Sequence, residues 1–272
     1  MPLLIVAGVA LLIIAWLLSE PLIAARRRRR LRARPFPSAW HAVIERRVPY
    51  VRLMPADLRA QLEKHIQVFV AEKTFIGCDG LEITDEVRVT IAAQACLLLL
   101  NRATGYFRNL REILVYPGSF VVDRVRAEPS GVLQEQRQVL SGESWSRGQV
   151  VLSWEATLEG AAVDDDGRNV VIHEFAHQLD QEKGYANGAP VVSRRDRYQR
   201  WSQVLGEEFA RLREQSWTRE PSLFSYYGAT DPAEFFAVIS EVFFEQPQRM
   251  AAGHPSLYRE LSDLYQVDPS SW

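Results

Sequence analysis

Val170-Val171-Ile172-His173-Glu174-Phe175-Ala176-His177-Gln178-Leu179-Asp180 sets two histidines four residues apart around a glutamate. On a helix, such positions lie on one face, one turn above the other. Both imidazoles then reach one metal ion without bending the backbone, and neutral imidazole suits zinc. Glu174 projects beside that ion. There a carboxylate can take a proton from an attacking water and pass it to a leaving amine. Val170, Val171, Ile172, Phe175, Ala176 and Leu179 are apolar, which predicts a buried helix with little water at its metal face. The pattern predicts helix from Asn169 to Glu182, entered from the turn Asp164-Asp165-Asp166-Gly167 and closed by Gly184. The competing reading is a pair of core histidines held by hydrogen bonds.

A hydrolytic zinc site needs a third protein ligand and an open fourth position. A glycine three residues after His177 and a histidine three later would extend the motif, but Asp180 and Lys183 stand there. His41, His65 and His254 lack local partners. The later stretch Tyr227-Gly228-Ala229-Thr230-Asp231-Pro232-Ala233-Glu234-Phe235-Phe236-Ala237 predicts a helix from Ala233 to Glu245, with Asp231 as N-cap and Pro232 at the first position. It offers Glu234 and Glu241, seven apart and on one face. Glu234 also stands where a capping box places a glutamate, so spacing alone leaves ligand and cap equally open. Asp231 would be the ligand in an aspartate-type arrangement, an idea its capping position weakens. Asp180 lies on the histidine face, either as an acceptor for an imidazole or as a helix-end charge.

Working outward, the body reads as one helix-rich α+β domain. Helices are predicted over Asp57 to Lys73 and Arg197 to Gln215, and a buried helix within Asp85 to Asn101. Ile113 to Tyr116, Ser119 to Val122 and Gln149 to Trp154 are predicted strands. The last precedes the motif helix and is expected at a sheet edge, where an extended peptide could join it, with an internal sheet strand as the alternative. Two cysteines, Cys78 and Cys96, exclude a disulfide scaffold and a cysteine-only zinc ribbon. With 47% hydrophobic and 24% charged residues, whole-chain disorder is excluded.

The net charge of −2 argues against direct nucleic-acid binding, but it hides a polar asymmetry. Arg26 to Arg30, Arg32 and Arg34 put seven positive charges into nine residues. Leu3 to Leu18 before them is uncharged and mostly apolar, about 24 Å long as a helix against a hydrocarbon core of about 30 Å. Extended through Ala25, it is expected to be a transmembrane anchor over residues 1–25. Residues 26–36 are then a basic collar and linker, and 37–272 the catalytic domain. Charges after the apolar run, not before it, argue against a signal peptide. The positive-inside rule predicts a single-pass protein of the bacterial inner membrane with its domain in the cytoplasm.

His173 to Asp180, taken with Tyr227 to Val238, resembles the zinc peptidase family of Mlc titration factor A, and more distantly the catalytic domain of anthrax lethal factor. Ile83 to Cys96, Ile113 to Pro117 and Ser141 to Trp145 extend the resemblance over about residues 37–270. It implies a zincin-like metallopeptidase domain and one Zn2+ per chain. It implies His173, His177 and Glu234 as metal ligands and Glu174 as catalytic base. Tyr227, seven residues before Glu234, would assist by donating a hydrogen bond to the developing oxyanion; packing beside Tyr226 is the alternative. Peptide or protein substrates follow, with aminopeptidase and endopeptidase action both open, and a repressor of the Mlc type as partner. The rival function is a binding module that sequesters such a regulator around a structural zinc. Glu174 speaks against it, because a structural site has no use for that carboxylate.

Overall fold

Capping side chains start the helices that matter here. Thr84, Ser153, Asn169 and Asp231 each accept a hydrogen bond from a backbone N–H one turn ahead, satisfying donors that a helix start leaves open. The computed structural model describes residues 20–127, 133–140, 142–145, 148–163, 165–184, 186–190 and 195–272. A helix over residues 20–32 (α1) precedes α2 (Ser38–Arg47), α3 (Ala56–Glu72), β1 (Thr74–Gly77) and α4 (Asp85–Leu97). Next come β2 (Glu112–Tyr116), β3 (Phe120–Ala127), β4 (Leu133–Leu140), β5 (Gly142–Trp145) and β6 (Gln149–Ser153). The helices α5 (Trp154–Ala162), α6 (Val170–Asp180), α7 (Arg195–Thr218), α8 (Pro232–Glu245), α9 (Pro247–Gly253) and α10 (Pro255–Tyr265) complete a helix-rich α+β fold.

The main sheet has the order β1-β2-β6-β5, with β1, β2 and β6 parallel and β5 antiparallel to β6. In β2 only Ile113 and Val115 are buried, the period-2 pattern of a strand covered on one face. In β6 the consecutive Val150, Val151 and Leu152 are all buried, as a strand covered on both faces requires. The expectation that Gln149 to Trp154 forms the edge is thereby corrected. That place belongs to β5. The hairpin β3–β4 forms a second, two-stranded sheet.

Helix α6 lies deep in the core. Its Phe175 ring packs 4.8 Å from Phe107 and 5.6 Å from Phe69 of α3, centroid to centroid. Burying such a ring stabilises by about 1.5–3 kcal/mol. Helix α8 buries Phe235, Phe236, Ile239, Val242 and Phe243 in the same core. Two helices held on one core can keep side chains in fixed register across their shared face.

The expected transmembrane helix, and with it the single-pass inner-membrane placement, is corrected. Among the described residues no helix is long and apolar enough to cross a membrane. The apolar run Leu3 to Leu18 lies outside the described residues. Helix α1 carries six arginines and docks on the domain. Arg28 makes two 2.8 Å hydrogen bonds to the Glu72 carboxylate, donates to Gly105 O at 3.1 Å and lies 4.7 Å from the Tyr106 ring centroid. Leu31 packs against the core. Two parallel guanidinium–carboxylate bonds give such a contact direction as well as strength.

Candidate metal centre

Asn169 starts α6 with its side chain accepting from the Ile172 N–H at 3.0 Å, which sets the rotation at which His173 and His177 face α8. Their rings meet edge to face, 5.0 Å between centroids. Opposite them, Asp231 caps α8 by accepting from the N–H groups of Ala233 and Glu234 at 2.9 and 3.0 Å. The cap uses the Glu234 backbone and leaves its carboxylate to cross to α6. Glu234 Oε2 lies 3.0 Å from His173 Nε2 and 3.4 Å from His177 Nε2. Ligand atoms of His173, His177 and Glu234 all lie within 4.8 Å of one another, close enough for one metal ion. Asp231, occupied as the cap, is not in this group.

Glu241 completes the arrangement. Its Oε1 lies 2.7 Å from His173 Nδ1, and its Oε2 accepts from the Asn169 N–H at 2.6 Å. A carboxylate only accepts, so the shared proton sits on Nδ1. His173 Nε2 faces Glu234 Oε2 at 3.0 Å, a spacing that a proton or a bound cation bridges. The donor set, two imidazoles and a carboxylate oriented from behind, fits a divalent ion such as zinc. Sequence reasoning had placed Glu241 on the right face without assigning it this partner; its seven-residue spacing from Glu234 was the available signal.

Charge in this pocket is strongly biased. Burial opposes a charge on His173, but Glu241 and Glu234 outweigh it and raise its pKa well above the ordinary value. Burial also works against the Glu234 carboxylate, yet hydrogen bonds with His173 and His177 hold its pKa well below the usual range. Glu174 makes no such bond among the described residues. Burial pushes its pKa up to about 7, against the pull of His173 and His177. A carboxyl poised near neutrality suits proton transfer in both directions.

The edge strand β5 passes directly over Glu174. A Cβ on Gly142 would come within 2.5 Å of Glu174 Oε1 and 2.6 Å of Val170 Cγ2, so only glycine fits. Gly142, His173, Glu174, Tyr227 and Glu241 line one cleft. Tyr227 belongs to a 3-10 turn, Tyr226–Ala229, whose entry Ser225 caps, and its ring centroid is 5.9 Å from that of His173. It is half exposed at the cleft, not packed into the core.

Asp180 faces elsewhere. Its carboxylate accepts from the N–H groups of Gly188 at 2.7 Å and Ala189 at 3.0 Å, pinning the loop that follows α6. His41 lies beside Glu63, His65 beside Tyr106 and His254 beside Glu208, all apart from the cluster.

Comparison with known proteins gives a consistent picture. Residues 22–266 match the family described as glucose-regulated metallo-peptidase M90. An uncharacterized protein of Synechocystis sp. is 40% identical over 270 residues, covering 99% of this chain and 98% of that protein. Mlc titration factor A of Klebsiella pneumoniae is 36% identical over 220 residues, covering 80% of this chain and 82% of its own. Its counterpart from Salmonella typhi is 33% identical over 226 residues, with 82% and 84% covered.

Proposed function

Because the chain belongs to the glucose-regulated metallo-peptidase M90 family, we propose that it is a zinc-dependent peptidase acting through His173, His177 and Glu234 as metal ligands, Glu174 as general base and Tyr227 as hydrogen-bond donor. The observation that carries this reading is the convergence of the three ligand side chains within 4.8 Å, beside the buried carboxylate of Glu174. Zinc, when bound, supplies a Lewis acid that polarises a peptide carbonyl and makes a water acidic near neutral pH. Glu174 Oε accepts the proton of the attacking water and returns it to the departing amine nitrogen. Tyr227 donates its phenolic hydrogen to the carbonyl oxygen as negative charge develops there. Glu241 holds the Nδ1 proton of His173 and keeps Nε2 available.

Strand β5 is the element this reading assigns to substrate. It is one of the two outer strands of the main sheet, and Gly142 brings its backbone against Glu174. An extended peptide adding to that edge would lay its backbone along the cleft. Relatives bear the name Mlc titration factor A. A repressor of the Mlc type is therefore the protein partner this reading proposes, secondary to peptide hydrolysis.

Metal analysis with digestion of an unbiased peptide library tests the proposal. The parent protein is expected to bind zinc and cleave peptides. Glu174→Gln is expected to keep its zinc and lose at least about 10²-fold in rate, as removal of a general base does. Equal turnover in the two proteins would contradict it. Cut positions in the same digest separate terminal from internal cleavage.

A further inference from the structure

The arginine collar carries more positive charge than its docking contacts use. Where it meets the chain following α4, a cavity of about 630 Å³ is lined by Arg32, Asp57, Lys64, His65, Arg102 and Thr104, among others. It shares no lining residue with the cleft at the metal centre.

The deepest group is His65, only 7% exposed. Its Nδ1 lies 2.9 Å from the Tyr106 hydroxyl. Burial pushes the Tyr106 phenol up, so it keeps its proton and is able to donate it to Nδ1. Burial and then Arg32 push His65 down to about 4, so the ring is neutral, and in the tautomer that accepts from Tyr106 its one proton sits on Nε2. That N–H has no hydrogen-bond partner among the described residues, and the ring that bears it lines the cavity.

The surrounding groups are mostly donors as well. Arg32, Lys64 and Arg102 form no ion pair among the described residues, although ion pairs engage Arg28, Arg46 and Arg47. Among the described residues Arg102 reaches only the Leu98 carbonyl at 3.3 Å, and Arg32 lies 5.7 Å from the Tyr106 ring centroid. Gln61 and Asn101, also in the lining, are occupied with each other. Asp57 is the single carboxylate in the lining, against three cations.

We propose that this cavity is a binding site for a small phosphorylated molecule, its phosphate held by Arg32, Lys64 and Arg102 and by the Nε2–H of His65. Planar guanidinium groups match phosphate oxygens, and a lysine adds a point charge. A volume of about 630 Å³ leaves room for an organic body beyond the phosphate. The proposal is independent of the peptidase reading.

The test is titration calorimetry of the full chain with inorganic phosphate and with glycerol 2-phosphate at fixed ionic strength, alongside NMR of the histidine side chains. Both ligands are expected to bind saturably and to shift the His65 Nε2 resonance. The double variant Lys64→Glu/Arg102→Glu is expected to weaken binding at least about tenfold, as loss of charged hydrogen bonds does. Arg30→Glu, on the exposed collar but outside the cavity, is expected to leave it unchanged. Three results would overturn the proposal: an unmoved His65 resonance, equal binding by the double variant (the result for phosphate held at the metal centre), or an equal loss with Arg30→Glu (the result for diffuse attraction).

Discussion

Glu241 decides which nitrogen of His173 faces the metal position. By holding Nδ1–H at 2.7 Å it leaves Nε2 turned toward Glu234. Its second oxygen is tied to the Asn169 N–H, so the same carboxylate also braces the start of α6. Glu241→Gln is expected to weaken zinc binding about 10–100-fold, as changes behind a metal ligand do. Competition with a chromophoric chelator measures this directly; an unchanged affinity in a folded variant would remove Glu241 from that role.

At the scale of elements, the edge strand and the motif helix constrain each other at Gly142. Gly142→Ala is expected to displace the Glu174 carboxylate, because the added Cβ would sit 2.5 Å from Oε1. Misplacing a reacting group by about 1 Å costs on the order of 10²-fold in rate, while the metal ligands stay where they are. Zinc content with peptide turnover tests this, and Gly206→Ala is the control. Gly206 lies within α7 with nothing near its Cβ position, so that change is expected to preserve turnover. The two glycines look alike in the sequence. Only the resemblance carried by the stretch Ser141 to Trp145 marked one of them.

What could be read from the chain alone follows the range of the forces involved. The caps and period of α8 are local, and Asp231, Pro232 and Glu234 sit where sequence reasoning placed them. The run of α6 was equally readable, because its apolar face and its histidines repeat with the helix period. Sheet order is non-local. Nothing within Gln149 to Ser153 says that β5 lies outside β6, except that three consecutive apolar residues ask for cover on both faces. The docking of α1 was unreadable for the same reason, since Arg28 finds Glu72 across 44 positions.

Global stability carries a further mark of this core. Burial pushes Glu245 from an ordinary 4.5 up to about 9, although one oxygen accepts from the Arg168 N–H at 2.8 Å. Between those values the folded chain holds a proton that the unfolded chain has released. Its contribution is therefore complete below pH 4.5 and is lost as pH rises toward about 9. Glu245→Gln is expected to flatten that decline and to raise Tm at pH 8 by about 2–4 °C. Thermal unfolding of both proteins from pH 5 to 8 checks it, and parallel slopes would refute it.

The contact between Gly142 and Glu174 also acts as a gauge of alignment. Strand β5 pairs with β6 with Gly142 opposite Leu152. Sliding by one residue in either direction would bring Ser141 or Glu143 into the place where no Cβ fits. A one-residue slip is otherwise a common error for a short outer strand. Here the carboxylate of the motif helix rejects it, so any chain that has folded with Glu174 in place has also set its edge strand in the single correct alignment.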